Sequence, residues 1–236
     1  MQMHEPVLLC EVLEILNPQS GQIFIDATVN GGGHAREIAR RVGPQGKVIG
    51  MDWDCDIVRE ARIKNQESGI TNMSLVCENY TRMREAASTH GLTSVHGVLF
   101  DLGFSSYHVD RSERGFSFLK DEPLDMRYHR DDGYGNDHDH SNDHGRNHDR
   151  RPTAADIVNT HGERELSDIF FNYGEERFAK RIARKIVEQR SIRPIRTTFE
   201  LVRTITHAVP RHRRDRHIHP ATRVFQALRI AVNDEL

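Results

Sequence analysis

Apolar positions in the first hundred residues switch repeatedly between a helical and an extended period. Leu9, Val12, Leu13 and Leu16 fall at i, i+3, i+4 and i+7, which predicts a short amphipathic helix that stops before Pro18 and Gly21. Ile23 to Val29 is a mostly apolar run that ends in glycines and predicts a buried parallel strand. A helix follows over Ala35 to Val42, then a turn through Gly43, Pro44 and Gly46. Lys47 to Asp52 predicts a second strand, Asp56 to Gln66 a crossover helix, Met73 to Cys77 a third strand, Arg82 to His90 a helix and Gly97 to Leu102 a fourth strand. Strand and helix alternating across short turns predict an α/β sheet of the doubly wound, Rossmann-like kind.

The rhythm breaks after Gly103. Asp110 to Tyr128 shows neither period. Asp131 to Arg151 holds six Asp and four His and no Val, Ile or Leu, so it lacks the apolar surface to fold alone. Helical patterns resume at Thr153 to Asn159, Glu163 to Asn172, Glu175 to Arg190, Thr198 to His207 and from Pro220 onward. In the third, Phe178, Ile182 and Ile186 share one face while Lys180, Arg181, Arg184 and Lys185 line others. The expected organisation is an α/β core over 1–109, a mainly helical inserted region over 110–218 that contains the His/Asp tract 131–151, and a helix over 219–236 returning to the core.

Composition narrows the function. The 236 residues are 36% hydrophobic and 29% charged, with a net charge of −2 that is unevenly spread. From Lys180 onward there are 14 Lys and Arg against 5 Asp and Glu, a balance of +9; the residues before it carry −11. A basic end on an acidic body suggests a polyanionic partner. No apolar run approaches the roughly 20 residues that cross a bilayer, and no secretory signal is visible. Cys10, Cys55 and Cys77 have no metal-ligand spacing and read as thiols, small core hydrophobes of a reducing compartment. His138 and His140 could chelate a metal, but their spacing fits no structural zinc site, and no metal is expected.

Two segments carry candidate chemistry. Thr28 to His34 (TVNGGGH) closes the first strand and opens a helix, where glycines admit a ligand to the backbone and free N–H groups await it. Asp52 ends the second strand 19 residues after Gly33, where a carboxylate can hold both hydroxyls of a ribose. A dinucleotide turn would want a third glycine where Arg36 stands. A nucleoside without phosphates fits better, and S-adenosylmethionine is the common one. The second segment, Asp101 to Ser106 (DLGFSS), sits at the carboxyl end of the fourth strand, where open α/β sheets bind ligands. Asp26, Gly31 to Gly33, Asp52 and Asp101 should converge there. The plainer alternative is a tight turn with Asp residues capping strand and helix ends.

With these motifs stand others that have no generic explanation: HEPVLL (His4 to Leu9), MDWD (Met51 to Asp54), ERGFSF (Glu113 to Phe118), PLDMR (Pro123 to Arg127), TAADIVN (Thr153 to Asn159), YGEERFAKRIA (Tyr173 to Ala183) and HPATRVFQALRIAVNDEL (His219 to Leu236). Together they resemble, nearly end to end, the small-subunit ribosomal RNA cytosine-N4 methyltransferases of bacteria and mitochondria. The resemblance implies a class I methyltransferase sheet, an inserted helical substrate domain and S-adenosylmethionine as methyl donor. By position it places donor contacts on Gly32, Gly33, His34, Asp52, Tyr80, Asp101 and His108. Asn30, Tyr80 and His108 depart from the family's usual Gly or basic residue, Phe and Gln. The family continues past the VNDEL helix into further strands, so a chain stopping at Leu236 is expected to lack the last strands of the sheet.

The implied reaction is direct methyl transfer to the exocyclic amine of a cytosine in small-subunit rRNA. Asp101 is the candidate proton acceptor, and Ser105 and Ser106 could orient the base. Arg114, Arg127, Arg213 and Arg214 are the candidate RNA contacts, the last two within the basic run Pro210 to Pro220. Phe116 and Phe118 read as core. The expected partner is small-subunit rRNA or the small ribosomal subunit, with a homodimer left open, in the mitochondrial matrix or cytoplasm; no transit peptide is visible. The rivals are a noncatalytic RNA-binding or assembly relative that lost turnover through truncation, a methyltransferase of DNA or protein, and a nicotinamide-dependent oxidoreductase.

Overall fold

The computed structural model divides into two compact units; the first is described over residues 6–103 and the second over 105–129, 151–210 and 218–236.

The first unit runs α1 (Leu9–Leu16), β1 (Ile23–Asp26), α2 (Gly33–Val42), β2 (Lys47–Asp52), α3 (Cys55–Glu67), β3 (Met73–Cys77), a 3-10 turn (Tyr80–Arg82), α4 (Met83–Thr89) and β4 (Gly97–Leu99). The strands form one parallel sheet in the order β3-β2-β1-β4. The chain builds outward from β1 to β3, then crosses back to place β4 on the other side of β1. That reversal opens a crevice at the carboxyl ends of β1 and β4. One face packs Phe24, Val29 and Val48 against Leu13, Ile38 and Val42; the other packs Ile25, Ile49 and Met51 against Ala86. On α2, Ala35, Ile38 and Val42 are fully buried, as their i, i+3, i+7 spacing requires. The expected α/β sheet is therefore present. β1 and β4 are shorter than their apolar runs because the chain turns after Asp26 and Leu99, although Ala27 N still donates to Leu99 O and Val29 N to Met51 O.

The cysteine expectation is corrected. Cys55 and Cys77 form a disulfide across 22 residues, with Cα atoms 5.1 Å apart. The cause is topological: β3 ends beside Asp52, and α3 starts three residues past Asp52, so parallel pairing brings both cysteines to one end of the sheet. Cys10, read as a core thiol, is exposed.

The second unit contains α5 (Ser106–Asp110), α6 (Ala154–Thr160), α7 (Glu163–Gly174), α8 (Ala179–Ile192), α9 (Thr198–Ala208) and α10 (Thr222–Asn233). Thr153 with Asp156 and Thr197 with Glu200 form capping boxes that start α6 and α9. Leu166, Phe170, Ile182, Ile186, Leu201, Ile205, Val224 and Leu228 share one core. α10 belongs to this core, so the expectation that 219–236 returns to the α/β core is corrected, and the division falls at 104/105 rather than 109/110. Buried Asn233 fixes it: its amide donates to Met126 O at 2.8 Å and its side-chain oxygen accepts from Tyr128 N at 2.8 Å. Among the described residues no helix is long and apolar enough to cross a membrane.

Candidate functional site

The carboxyl ends of β1, β2 and β4 place three carboxylates in one electrostatic neighbourhood. Asp26 ends β1, is almost fully buried, and accepts a hydrogen bond from Thr28 N at 3.2 Å. Thr28 Oγ1 in turn accepts from Asp101 N at 2.6 Å, tying the β1 loop to the β4 loop. Asp52 ends β2; one oxygen accepts from Asn30 N and the other from Asp54 N, each at 3.0 Å. Burial pushes the Asp26 carboxyl up to about 7, and the charges of Asp52 and Asp101 add to that push. Burial likewise raises Asp52 to about 7, against the pull of its backbone donors.

The glycine turn is built around this cluster. Asn30 takes a left-handed φ of 46° and Gly32 one of 75°. Asn tolerates that region because its side chain bonds locally, here from Nδ2 to Thr28 O at 3.2 Å. A Cβ on Gly32 would lie 2.7 Å from the Arg36 guanidinium, which donates to Gly31 O at 2.8 Å. Arg36 thus closes the turn from the side where a dinucleotide fold would keep a glycine. A Cβ on Gly33 would collide with Pro6. His34 lies at the start of α2, donates from Nε2 to Val7 O at 2.9 Å, and holds Nδ1 3.7 Å from Asp101 Oδ2. Pro6 and Val7 therefore brace the turn, which gives the HEPVLL string a physical role. Tyr80, exposed on its 3-10 turn, meets exposed Phe100 edge-to-face at 5.7 Å.

Gly32, Gly33, His34, Asp52 and Asp101 thus gather at the ends of the strands, with Tyr80 and Phe100 forming an aromatic pair in the same unit. Phe100 was not singled out by the sequence; it sits in a run that reads as ordinary strand. The arrangement suits a nucleoside carrying positive charge. Carboxylates accept from ribose hydroxyls and attract a sulfonium or ammonium, whereas three of them together oppose a pyrophosphate. S-adenosylmethionine fits these groups.

The remaining candidates lie in the second unit. Ser105 caps α5, its Oγ accepting from Tyr107 N at 3.2 Å, and Ser106 opens the helix. His108 is buried among aromatic rings, 5.0 Å from Phe116 and 4.7 Å from Tyr128. Phe116 is buried and Phe118 packs against the helical core, as their reading as core residues expects. The expectation that Arg114 and Arg127 line an RNA path is corrected. Arg114 is 1% exposed and donates to Arg127 O at 3.1 Å and Tyr128 O at 2.7 Å. Arg127 forms a two-pronged pair with Asp125, at 2.7 Å and 3.0 Å. Both guanidiniums serve internal partners because the Glu113–Tyr128 segment has no regular ladder to satisfy its carbonyls and carboxylates. Arg213, Arg214, His138 and His140 lie outside the described residues.

A profile described as the MraW methylase family matches residues 1–236. The ribosomal RNA small subunit methyltransferase H of Syntrophus aciditrophicus (strain SB) is 45% identical over 233 residues, 99% of this chain and 68% of its own length. The protein of the same name from Geobacter sp. (strain M21) is 43% identical over 233 residues, 99% of this chain and 69% of its own. Among solved structures, an rRNA methylase from Streptococcus thermophilus aligns with a TM-score of 0.33 and 17% identity over 44% of this chain and 58% of that one.

Proposed function

The chain belongs to the MraW methylase family, and from that premise we propose that it transfers a methyl group from S-adenosylmethionine to the exocyclic N4 of a cytosine in small-subunit ribosomal RNA. The observation that carries the donor half is the carboxylate cluster: Asp52 held by Asn30 N and Asp54 N beside buried Asp26 and partly exposed Asp101. The rRNA half rests on the family and on the names of the relatives above.

In this reading Asp52 holds the ribose hydroxyls, the Gly32–Gly33 turn admits the donor to the backbone, and Tyr80 with Phe100 offers an aromatic face to adenine. The donor supplies a methyl carbon made electrophilic by its sulfonium. The cytosine amine is a poor nucleophile, because its lone pair is delocalised into the ring. Asp101 accepts its N–H and returns electron density to nitrogen. The Asp101 backbone is fixed by Thr28 Oγ1, which favours in-line approach at roughly 3–3.5 Å. Ser105, whose oxygen already caps α5, keeps its hydroxyl proton for a base carbonyl. The target base must be unpaired or turned out of its stack, since its amine edge is otherwise occupied.

Parallel calorimetric titrations with S-adenosylmethionine and with NAD test the donor assignment. The carboxylate cluster predicts binding of the first and none of the second. NAD binding without S-adenosylmethionine binding would overturn it.

A further inference from the structure

Residues 177–207 carry nine Lys and Arg against two Glu, Glu188 and Glu200. Three of the nine, Lys185, Arg193 and Arg203, meet along one groove. Between α8 and α9 runs an open groove of about 260 Å³. Lys185, Gln189 and Arg193 edge it from α8 and its end, spaced i, i+4, i+8, so they share one helix face. Glu200, Arg203 and His207 edge it from α9.

The acidic member has a separate structural duty. Glu200 closes the capping box of α9 and accepts from Arg196 N at 2.8 Å. The groove's ion pairs reach solvent: exposed Arg193 to half-buried Glu200 at 2.9 Å, and half-buried Lys185 to exposed Glu188 at 2.9 Å. Such pairs contribute only about 0–1 kcal/mol each and exchange readily for a better anion. Arg203 is exposed, and among the described residues no carboxylate lies within 4.0 Å of it. The volume lies just under the roughly 300–1,000 Å³ of small-molecule pockets, and charged side chains edge it beside Pro194, Ile195 and Thr204. The one ring among its lining residues is the His207 imidazole; no Phe, Tyr or Trp offers a broad stacking platform for a base. Lys185 and Arg193 are separated by about 12 Å along the helix axis. With Arg203 opposite, the groove presents spaced cations to a chain of anions rather than a pocket for one.

We propose that the α8–α9 groove binds the phosphodiester backbone of the RNA substrate, with Lys185, Arg193 and Arg203 as its phosphate contacts. This rests on the rRNA reading above and replaces Arg114 and Arg127 as the RNA path. Phosphate contacts of this kind fix register and supply salt-dependent affinity, not base specificity.

The test is fluorescence anisotropy with a labelled single-stranded fragment of small-subunit rRNA across a salt series. The unvaried chain is compared with a triple variant, Lys185→Gln, Arg193→Gln and Arg203→Gln, and with a control of equal charge change off the groove, Lys180→Gln, Arg181→Gln and Arg184→Gln. All six side chains are at the surface, and melting curves verify folding. The groove variant should lose tenfold or more in affinity at low salt. Its log K against log salt slope should fall by about 2, since each single-strand phosphate contact contributes about 0.7. The control should change much less. Equal losses in both variants, or no loss in either, would overturn the groove assignment, as would polyglutamate binding in place of RNA. RNA binding absent from the unvaried chain would overturn it too. A titration of the same preparation with S-adenosylmethionine then shows separately whether the donor reading stands.

Discussion

The Asn30 backbone N–H donates to Asp52 Oδ2 at 3.0 Å, across 22 residues of sequence. The left-handed turn at Asn30 and the acidic end of β2 are therefore one device: the turn aims the carboxylate, and the carboxylate holds the turn. Asp52→Ala should lower S-adenosylmethionine affinity by about 10- to 100-fold, the range for hydrogen bonds to a charged group. Calorimetry on variant and parent measures it, and unchanged affinity would remove Asp52 from the donor site.

Asp26 and Asp52 bind protons near pH 7 in the folded chain and near their ordinary 3.8 when unfolded. Between these values the folded state holds more protons, so stability from these groups is present below about 4 and is lost as pH rises through about 7. Donor binding has the opposite sign. Ribose hydroxyls and a sulfonium favour the ionised carboxylates, so donor affinity should rise between pH 6 and 8 with release of protons. Titrations in two buffers of different ionisation enthalpy read that release; a flat affinity and no proton exchange would contradict it.

Arg114 contributes to folding. Arg114→Ala leaves the Arg127 and Tyr128 carbonyls without their guanidinium partner. Urea unfolding should show a loss of about 3 kcal/mol, as expected for buried acceptors left unpaired. Full stability combined with weakened RNA binding would restore Arg114 to the RNA surface.

The Cys55–Cys77 bond closes a 22-residue loop around α3. Reduction should cost about 3 kcal/mol by restoring chain entropy to the unfolded state. Melting with and without a dithiol measures this, with Cys55→Ser as the variant that no longer responds. Equal melting of the parent in both conditions would show that the bond adds no stability.

β2 and β3 were legible to the residue, because Lys47–Asp52 and Met73–Cys77 are short, mostly apolar segments set between turn residues. The helix-forming faces of α2, α8 and α9 were equally plain from period. α5 was not: Ser106–Asp110 is a single turn started by a serine cap, too short to show a period. Asp52 and Asp101 were legible because one ends β2 and the other lies two residues past β4, each beside a glycine-rich or polar loop. The buried duties of Arg114 and Arg127 were hidden, since an arginine that satisfies carbonyls from a neighbouring segment reads in sequence like one that meets solvent. The disulfide was hidden for a related reason: 22 residues of separation carry no signal until the parallel register of β2 and β3 is known. The α8–α9 groove needs two helices in place before its cations share an edge.

The chemical position of the transferred methyl group tests the proposed reaction most directly. Small-subunit rRNA lacking base methylation, incubated with the chain and methyl-labelled S-adenosylmethionine, is digested to nucleosides and resolved by mass spectrometry. Label should appear in N4-methylcytidine, with a steep loss of turnover in Asp101→Asn. Label in a carbon-methylated cytidine or another nucleoside, or full turnover by Asp101→Asn, would contradict it.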